Sequence, residues 1–299
     1  MRVNVRYFVL PVALLFPAQE FAQPALQAEI RAIAAEAHGK VSVACSLPGS
    51  SIDRDLNAHT HPPMQSVFKA PLAVTVLYLI EQGKWTLDQP IRFRASDRIL
   101  PQSVSPLQDK YPAAEVDIPL VELLRLAVSE SDNVAADLLL HTIGGPNVVA
   151  DYLRSLGIRG FRLLDNEASL HREPSLQYRN WIEPAEAVQL LRRLADRSPL
   201  SAEHTRLVLG WMQETTRGPA RIKGKLPAGA IVTHKPGSSG TDRGLTPAWN
   251  DIGLIALPDG RRLAIAIFVT NSTANETARD AVIARIARAA YDTVTKASP

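Results

Sequence analysis

The 299-residue chain has one cysteine, so no disulfide can form within it. That residue, Cys45, ends the apolar stretch Val41 to Cys45 and reads as a buried small hydrophobe rather than a reactive thiol. Beyond the first two dozen residues no apolar run is long enough to cross a bilayer, so stable membrane insertion is not expected. Basic residues are not clustered: 33 Lys and Arg are interspersed with 30 Asp and Glu, which excludes a nucleic-acid footprint. The seven histidines show no metal-ligand spacing such as His-x-x-x-His within a helix, so neither a metal nor another cofactor is implied. Internal repeats and low-complexity linkers are also missing.

What remains is an ordinary globular composition, 46% apolar with Gly 16 and Pro 22, and enough length for a sizeable core. Arg2 and Arg6 precede ten apolar residues, Tyr7 to Phe16, and then small and polar ones. This predicts an export leader over residues 1–23, cut anywhere from Ala18 to Ala25, and hence a secreted or periplasmic protein.

Apolar periodicity predicts a helix over 24–38 and a strand over 40–45. It predicts a helix opening at Ser66, and then helices over 120–128, 134–142, 148–156, 184–195 and 203–213. After Thr215 the pattern turns to strands at 230–234, 252–257 and 262–270, the last two joined by Pro258-Asp259-Gly260. A helix over 276–295 closes the chain. The expected fold is therefore α/β: an antiparallel sheet flanked by helices and built from both chain ends, with an all-helical insertion. The α/β part comprises 24–61 and 214–299, the helical part 62–213, and the active site is expected where they meet.

Three elements carry chemistry. In Ser66-Val67-Phe68-Lys69 the three-residue spacing puts Lys69 beside the Ser66 hydroxyl, and the Ser66 N–H at a helix start is free to stabilise an oxyanion. Ser131-Asp132-Asn133 opens another helix: Ser131 can relay a proton to a leaving nitrogen and Asn133 can bind a substrate amide. In His234-Lys235-Pro236-Gly237-Ser238-Ser239-Gly240, Lys235 can hold an anion and the backbone beyond it can give a second oxyanion donor. Taken singly, each is as ordinary as a helix cap or a solvated lysine.

Their combination and order, SxxK, SDN and K-x-G, define the set found in class A β-lactamases and penicillin-binding proteins. With Val128 to Asn133, Ile143 to Pro146 and Asn250 to Gly253, the chain resembles class A serine β-lactamases over nearly its whole exported length. Within them it is most similar to the PER/VEB-like extended-spectrum branch. The resemblance implies a monomeric enzyme that opens the β-lactam ring of penicillins and cephalosporins. Ser66 would be the nucleophile, Lys69, Ser131 and Lys235 its partners, and the N–H groups of Ser66 and Ser238 the oxyanion hole. Glu167, in Asp165 to His171, matches the glutamate that activates the deacylating water. Asn133, His171, Arg221, Gly237 and Ser239 are the expected substrate contacts, Arg221 toward the substrate carboxylate.

Four positions depart from the family pattern. Asp165 stands for the usual loop arginine, Asn180 for the usual aspartate, and His171 for an asparagine, so the common bracing ion pair of this loop cannot form and a roomier loop is implied. Pro236 replaces Thr or Ser and removes both a hydroxyl and an N–H. Strand parity turns that missing N–H toward the cleft, where Ser238 or Ser239 can supply a replacement hydroxyl. Two alternatives share the serine chemistry: a D,D-peptidase, which Glu167 argues against, and an impaired non-enzymatic β-lactam or cell-wall binder, which Pro236 and the altered loop suggest.

Overall fold

The computed structural model describes residues 19–48, 55–99 and 103–296. The predicted leader lies outside the described residues up to residue 18. Helix α1 (Gln19–Ala35) and strand β1 (Lys40–Ser46) come first, then a 3-10 turn at Gln65–Phe68 that runs into α2 (Lys69–Glu81). Next are β2 (Pro90–Phe93), α3 (Pro106–Lys110), β3 (Val116–Pro119), α4 (Leu120–Ser129), α5 (Asn133–Ile143) and α6 (Pro146–Ser155). They are followed by β4 (Phe161–Arg162), α7 (Glu167–Arg172), β5 (Trp181–Ile182), α8 (Pro184–Asp196) and α9 (Ala202–Glu214). Strands β6 (Val232–Ser238), β7 (Thr246–Ala256) and β8 (Arg262–Ser272) and helix α10 (Glu276–Lys296) complete the order.

Strands from both ends pair antiparallel, as the sequence pattern predicts, and their order is β1-β8-β7-β6. Alternation along β8 explains its unbroken apolar run. Leu263, Ile265, Ile267 and Val269 pack with α1 and α10, whereas Ala264, Ala266 and Phe268 face the larger core that includes α2, α4, α5 and α8. A strand covered on both faces has no polar side to show. Cys45 is buried on the α1–α10 side, as expected.

Two expectations need correction. The strand predicted at 230–234 in fact runs Val232–Ser238, through Pro236 and Gly237. It is the sheet's edge strand, where a proline costs no ladder bond on its outer side. The middle of the chain also holds two small antiparallel pairs, β2 with β3 and β4 with β5. Strands of two to four residues are too short to show a period.

Candidate active site

Ser66 sits in the 3-10 turn, and Lys69 begins α2 one turn later. Gln65, just before the nucleophile, has φ 50°, and its Nε2 donates to Gln177 Oε1 at 2.6 Å. A non-glycine residue in the left-handed region is strain held by its surroundings. The turn lies directly against β6. A Cβ on Gly237 would stand 2.5 Å from the Met64 carbonyl oxygen and 3.0 Å from the Val67 nitrogen, so only glycine lets strand and turn approach. Asn250 on β7 ties the other side, its Nδ2 donating to Pro63 O at 2.8 Å.

Lys69 is buried and lies among four oxygens. Its Nζ donates to Ser66 Oγ at 3.1 Å, Ser131 O at 2.8 Å and Asn133 Oδ1 at 2.5 Å, and Glu167 Oε1 lies 2.9 Å away. An ammonium has three protons, and these three hydrogen bonds use them. Glu167 Oε1 makes no hydrogen bond in this arrangement, so its contact with Lys69 is one of charge.

Lys235 is also buried, and its Nζ donates to Ser131 Oγ at 2.9 Å and to Pro236 O at 3.3 Å. Burial first, then repulsion from Lys69, holds its ammonium well below the usual lysine range. Ser131, with φ 60°, therefore stands between two lysines, its hydroxyl on one and its carbonyl on the other. Asp132 fixes this turn. Its carboxylate caps α5 at Ala135 N and accepts from Ser105 Oγ and Leu107 N, all within 2.8 Å.

Glu167 opens the short helix α7. The Asn166 side chain caps it at Ser169 N, and the Asp137 carboxylate accepts from the N–H groups of Glu167 and Ala168, both at 2.8 Å. Asp137 escaped the sequence reading. Its signal is a lone carboxylate in the apolar helix Val134-Ala-Ala-Asp-Leu-Leu-Leu. The common ion pair of the loop is indeed missing, yet Asp165 is not unpaired: Arg179 Nε lies 3.1 Å from its Oδ2. Asn180 braces the loop with neutral bonds, accepting from Leu164 N and Asp165 N and donating to Asp165 O.

Burial and the nearby Glu167 charge push the Asp137 carboxyl up to about 7. Because that value is raised above the unfolded one, near 3.8, the group favours the fold most in acid. The contribution is lost as pH rises from about 4 to 7. Asp137→Asn removes this titration, worth up to about 4 kcal/mol across that window. The melting temperature of the variant relative to the parent is expected to climb between pH 4 and 7 and then level off. A difference independent of pH contradicts this assignment.

Two adjoining cavities open above these groups. The first, about 260 Å³, is lined by Ser66, Ser131, Asn133, Glu167, Arg221, Gly237 and Ser238, and Pro236, Arg217 and Gly218 form part of its wall. The second shares Asn133, Glu167 and Ser238 and adds His171 and Ser239. Lys69 and Lys235 lie buried beneath. Every residue picked from the sequence thus converges on one cleft. Ser239 N donates to Ala248 O, so by strand parity Pro236 and Ser238 turn their backbone nitrogens away from β7 and toward the cleft.

The polar side chains of this wall are largely committed. Ser239 Oγ accepts from Ala248 N at 2.9 Å and lies 3.3 Å from Ala248 O. Arg221 is buried against the Trp249 ring, its guanidinium carbon 4.1 Å from the ring centre. Its nitrogens donate to Asp280 Oδ1, Gly237 O, Asn250 O and Ser238 Oγ, the last at 2.6 Å. Below the sheet edge, His234 Nδ1 and Asp251 form a fully buried pair at 2.8 Å.

A serine on a lysine, a second serine on a second lysine, and a glutamate over both, set between an antiparallel sheet and a helical region, define a class A serine β-lactamase. The chain belongs to the β-lactamase enzyme family, whose model matches residues 25–294. It is 40% identical to the extended-spectrum β-lactamase PER-1 of Pseudomonas aeruginosa over 268 residues, covering 90% of this chain and 87% of that one. With β-lactamase VEB-1 of the same organism it shares 34% identity, covering 79% of each. A solved β-lactamase structure from Chitinophaga pinensis superposes with a TM-score of 0.87 at 41% identity, covering 90% of this chain and 99% of that one. The protein hydrolyses the β-lactam ring.

Proposed function

We propose that hydrolysis of penicillins and cephalosporins runs through an acyl-enzyme on Ser66. The Ser66 hydroxyl attacks the lactam carbonyl. Its proton passes through a water to Glu167, or to Lys69 once that ammonium has handed a proton to Glu167; the short contacts among the three support both routes. The N–H groups of Ser66 and Ser238 stabilise the oxyanion, each by roughly 3 kcal/mol. Ser131, held by Lys235, hands a proton to the departing ring nitrogen. Glu167 then directs water onto the ester. Asn133 and His171 contact the substrate's amide side, and Gly237, Ser239 and Arg221 shape the opposite wall. The observation that carries this reading is the chain of contacts Ser66 Oγ–Lys69 Nζ–Glu167 Oε1, 3.1 Å and 2.9 Å long. Steady-state nitrocefin hydrolysis over many turnovers tests it. Release of a single product equivalent per enzyme, with no further turnover, refutes it and favours the peptidase or binder.

Residues 62–213 supply Ser66, Lys69, Ser131 and Glu167, and the sheet supplies Lys235, Gly237 and Ser238. This supports the division into a helical part and an α/β part with the site at their junction. The leader pattern supports export to the periplasm. Among the described residues no helix is long and apolar enough to cross a membrane. We take the working unit to be a monomer without nucleic-acid partners.

Arg221 joins Ser238, two backbone carbonyls and Asp280 in a buried cluster. Arg221→Ala is expected to cost roughly 3 kcal/mol, because it strands the groups it pairs. That corresponds to a melting temperature lower by about 6–12 °C, with a raised KM as Ser238 loosens. An unchanged melting temperature contradicts the bracing role.

A further inference from the structure

Penicillins and cephalosporins carry a carboxylate one carbon from the lactam nitrogen. With Ser131 at that nitrogen, the carboxylate has to find its partners within the first cavity, whose wall includes Pro236, Gly218 and Arg217. This part of the wall has few donors to offer beyond the Ser238 hydroxyl, which accepts from Arg221 and keeps its own O–H. Pro236 has neither N–H nor hydroxyl. Ser239 Oγ is bound to Ala248, Lys235 to Ser131 Oγ and the Pro236 carbonyl, and all three Arg221 nitrogens to the protein.

Arg217 differs. Its backbone N–H donates to Thr215 Oγ1, which itself donates to Ser129 O, and its Nε donates to Glu130 O at 3.1 Å. The stem is thus anchored to the C-terminal end of α4, just before the Ser131 turn. Among the described residues no hydrogen bond or ion pair engages its two terminal nitrogens. The side chain is half-buried on the cavity wall, close enough for its charge to depress the Lys235 ammonium. Gly218 presses the turn onto the proline. With φ 60°, a Cβ there would meet Pro236 Cβ at 3.1 Å, Pro236 Cγ at 3.3 Å and Arg221 Cδ at 3.2 Å. The proline ring is therefore the surface on which the Arg217-Gly218 turn rests.

We propose that Arg217 recognises the substrate carboxylate in this enzyme, its two free terminal N–H groups supplying the hydrogen bonds that position 236 cannot, while Arg221 acts as a positioning residue through Ser238. A guanidinium edge offers two parallel donors to a carboxylate, a bidentate fit that a lysine cannot reproduce. The proposal rests on Ser66 as the nucleophile, since that places the lactam nitrogen at Ser131.

The test compares kcat/KM for benzylpenicillin and for its methyl ester, which lacks the negative charge. Arg217→Ala is expected to reduce the preference for acid over ester about ten- to a hundredfold, mainly through KM for the acid. Arg217→Lys should keep part of that preference. Adding Pro236→Thr to Arg217→Ala should restore part of it by returning a hydroxyl to the same wall. Equal losses on acid and ester, or an unaltered preference in a variant with the parent melting temperature, overturn the assignment. Failure of the Ser66 reading looks different: the deacylation-blocked Glu167→Ala enzyme then forms no penicilloyl adduct on Ser66 with either substrate.

Discussion

Ser66→Ala is expected to lose about 10⁶-fold in kcat, the scale on which serine hydrolases fail without their nucleophile. That loss corresponds to about 8 kcal/mol of transition-state stabilisation. The site offers no substitute. Ser131 Oγ is bound to Lys235, and Ser238 and Ser239 are bound to Arg221 and Ala248. Only Ser66 combines an oxygen on Lys69 with a position at the start of a helical turn packed against the β6 backbone. The variant should fold, since alanine fits the same turn, and should still bind penicillins without covalent attachment. Steady-state hydrolysis and melting temperature measured together check this. A folded Ser66→Ala protein that retains a tenth of the parent activity would remove Ser66 from the chemistry.

The second large effect is expected from Glu167→Ala. Attack by Ser66 has two routes for its proton, through water to Glu167 or to Lys69 after Lys69 has given a proton to Glu167 or a neighbouring water, whereas attack by water on the ester has the carboxylate alone. General-base catalysis contributes about 10²–10⁴-fold. Deacylation should slow by that factor or more, while acylation slows far less. The kinetic signature is a burst of one product equivalent followed by near-arrest. Glu167 sits where its backbone is pinned by Asp137 and its carboxylate by the Lys69 charge, so the variant leaves Lys69 with its three other oxygens and a preserved fold. Steady turnover without a burst would show that deacylation is not what Glu167 governs, and would turn attention to His171 on the neighbouring wall.

Much of the site was legible because its parts are local in sequence. Ser66 and Lys69 are three residues apart on one turn, and Ser131 to Asn133 form one helix start, so spacing alone conveys their geometry. The sheet was legible for a similar reason: β8 and β1 are apolar runs that only a strand covered on both faces can use. What escaped was the support between distant segments. Nothing in the sequence announces that Asp137 on α5 would hold the backbone of Glu167, thirty residues away. Nor does it announce that Arg179 would pair with Asp165 once the common loop ion pair was lost. Arg221 was legible as a cation near the cleft, but not as one whose donors are already spent on Ser238, Gly237 and Asn250. The strand predicted at 230–234 ended before the pair Pro236-Gly237, which an inner strand does not tolerate. On an outer strand it is instead the feature that lets the Ser66 turn lie against the sheet.

The most direct measurement of the central claim is intact-mass spectrometry of Glu167→Ala mixed with benzylpenicillin, followed by peptide mapping. The account predicts one penicilloyl group per molecule, carried by the peptide containing Ser66 and persisting long after free drug is removed. A protein without an adduct, or an adduct on any other residue, would contradict it.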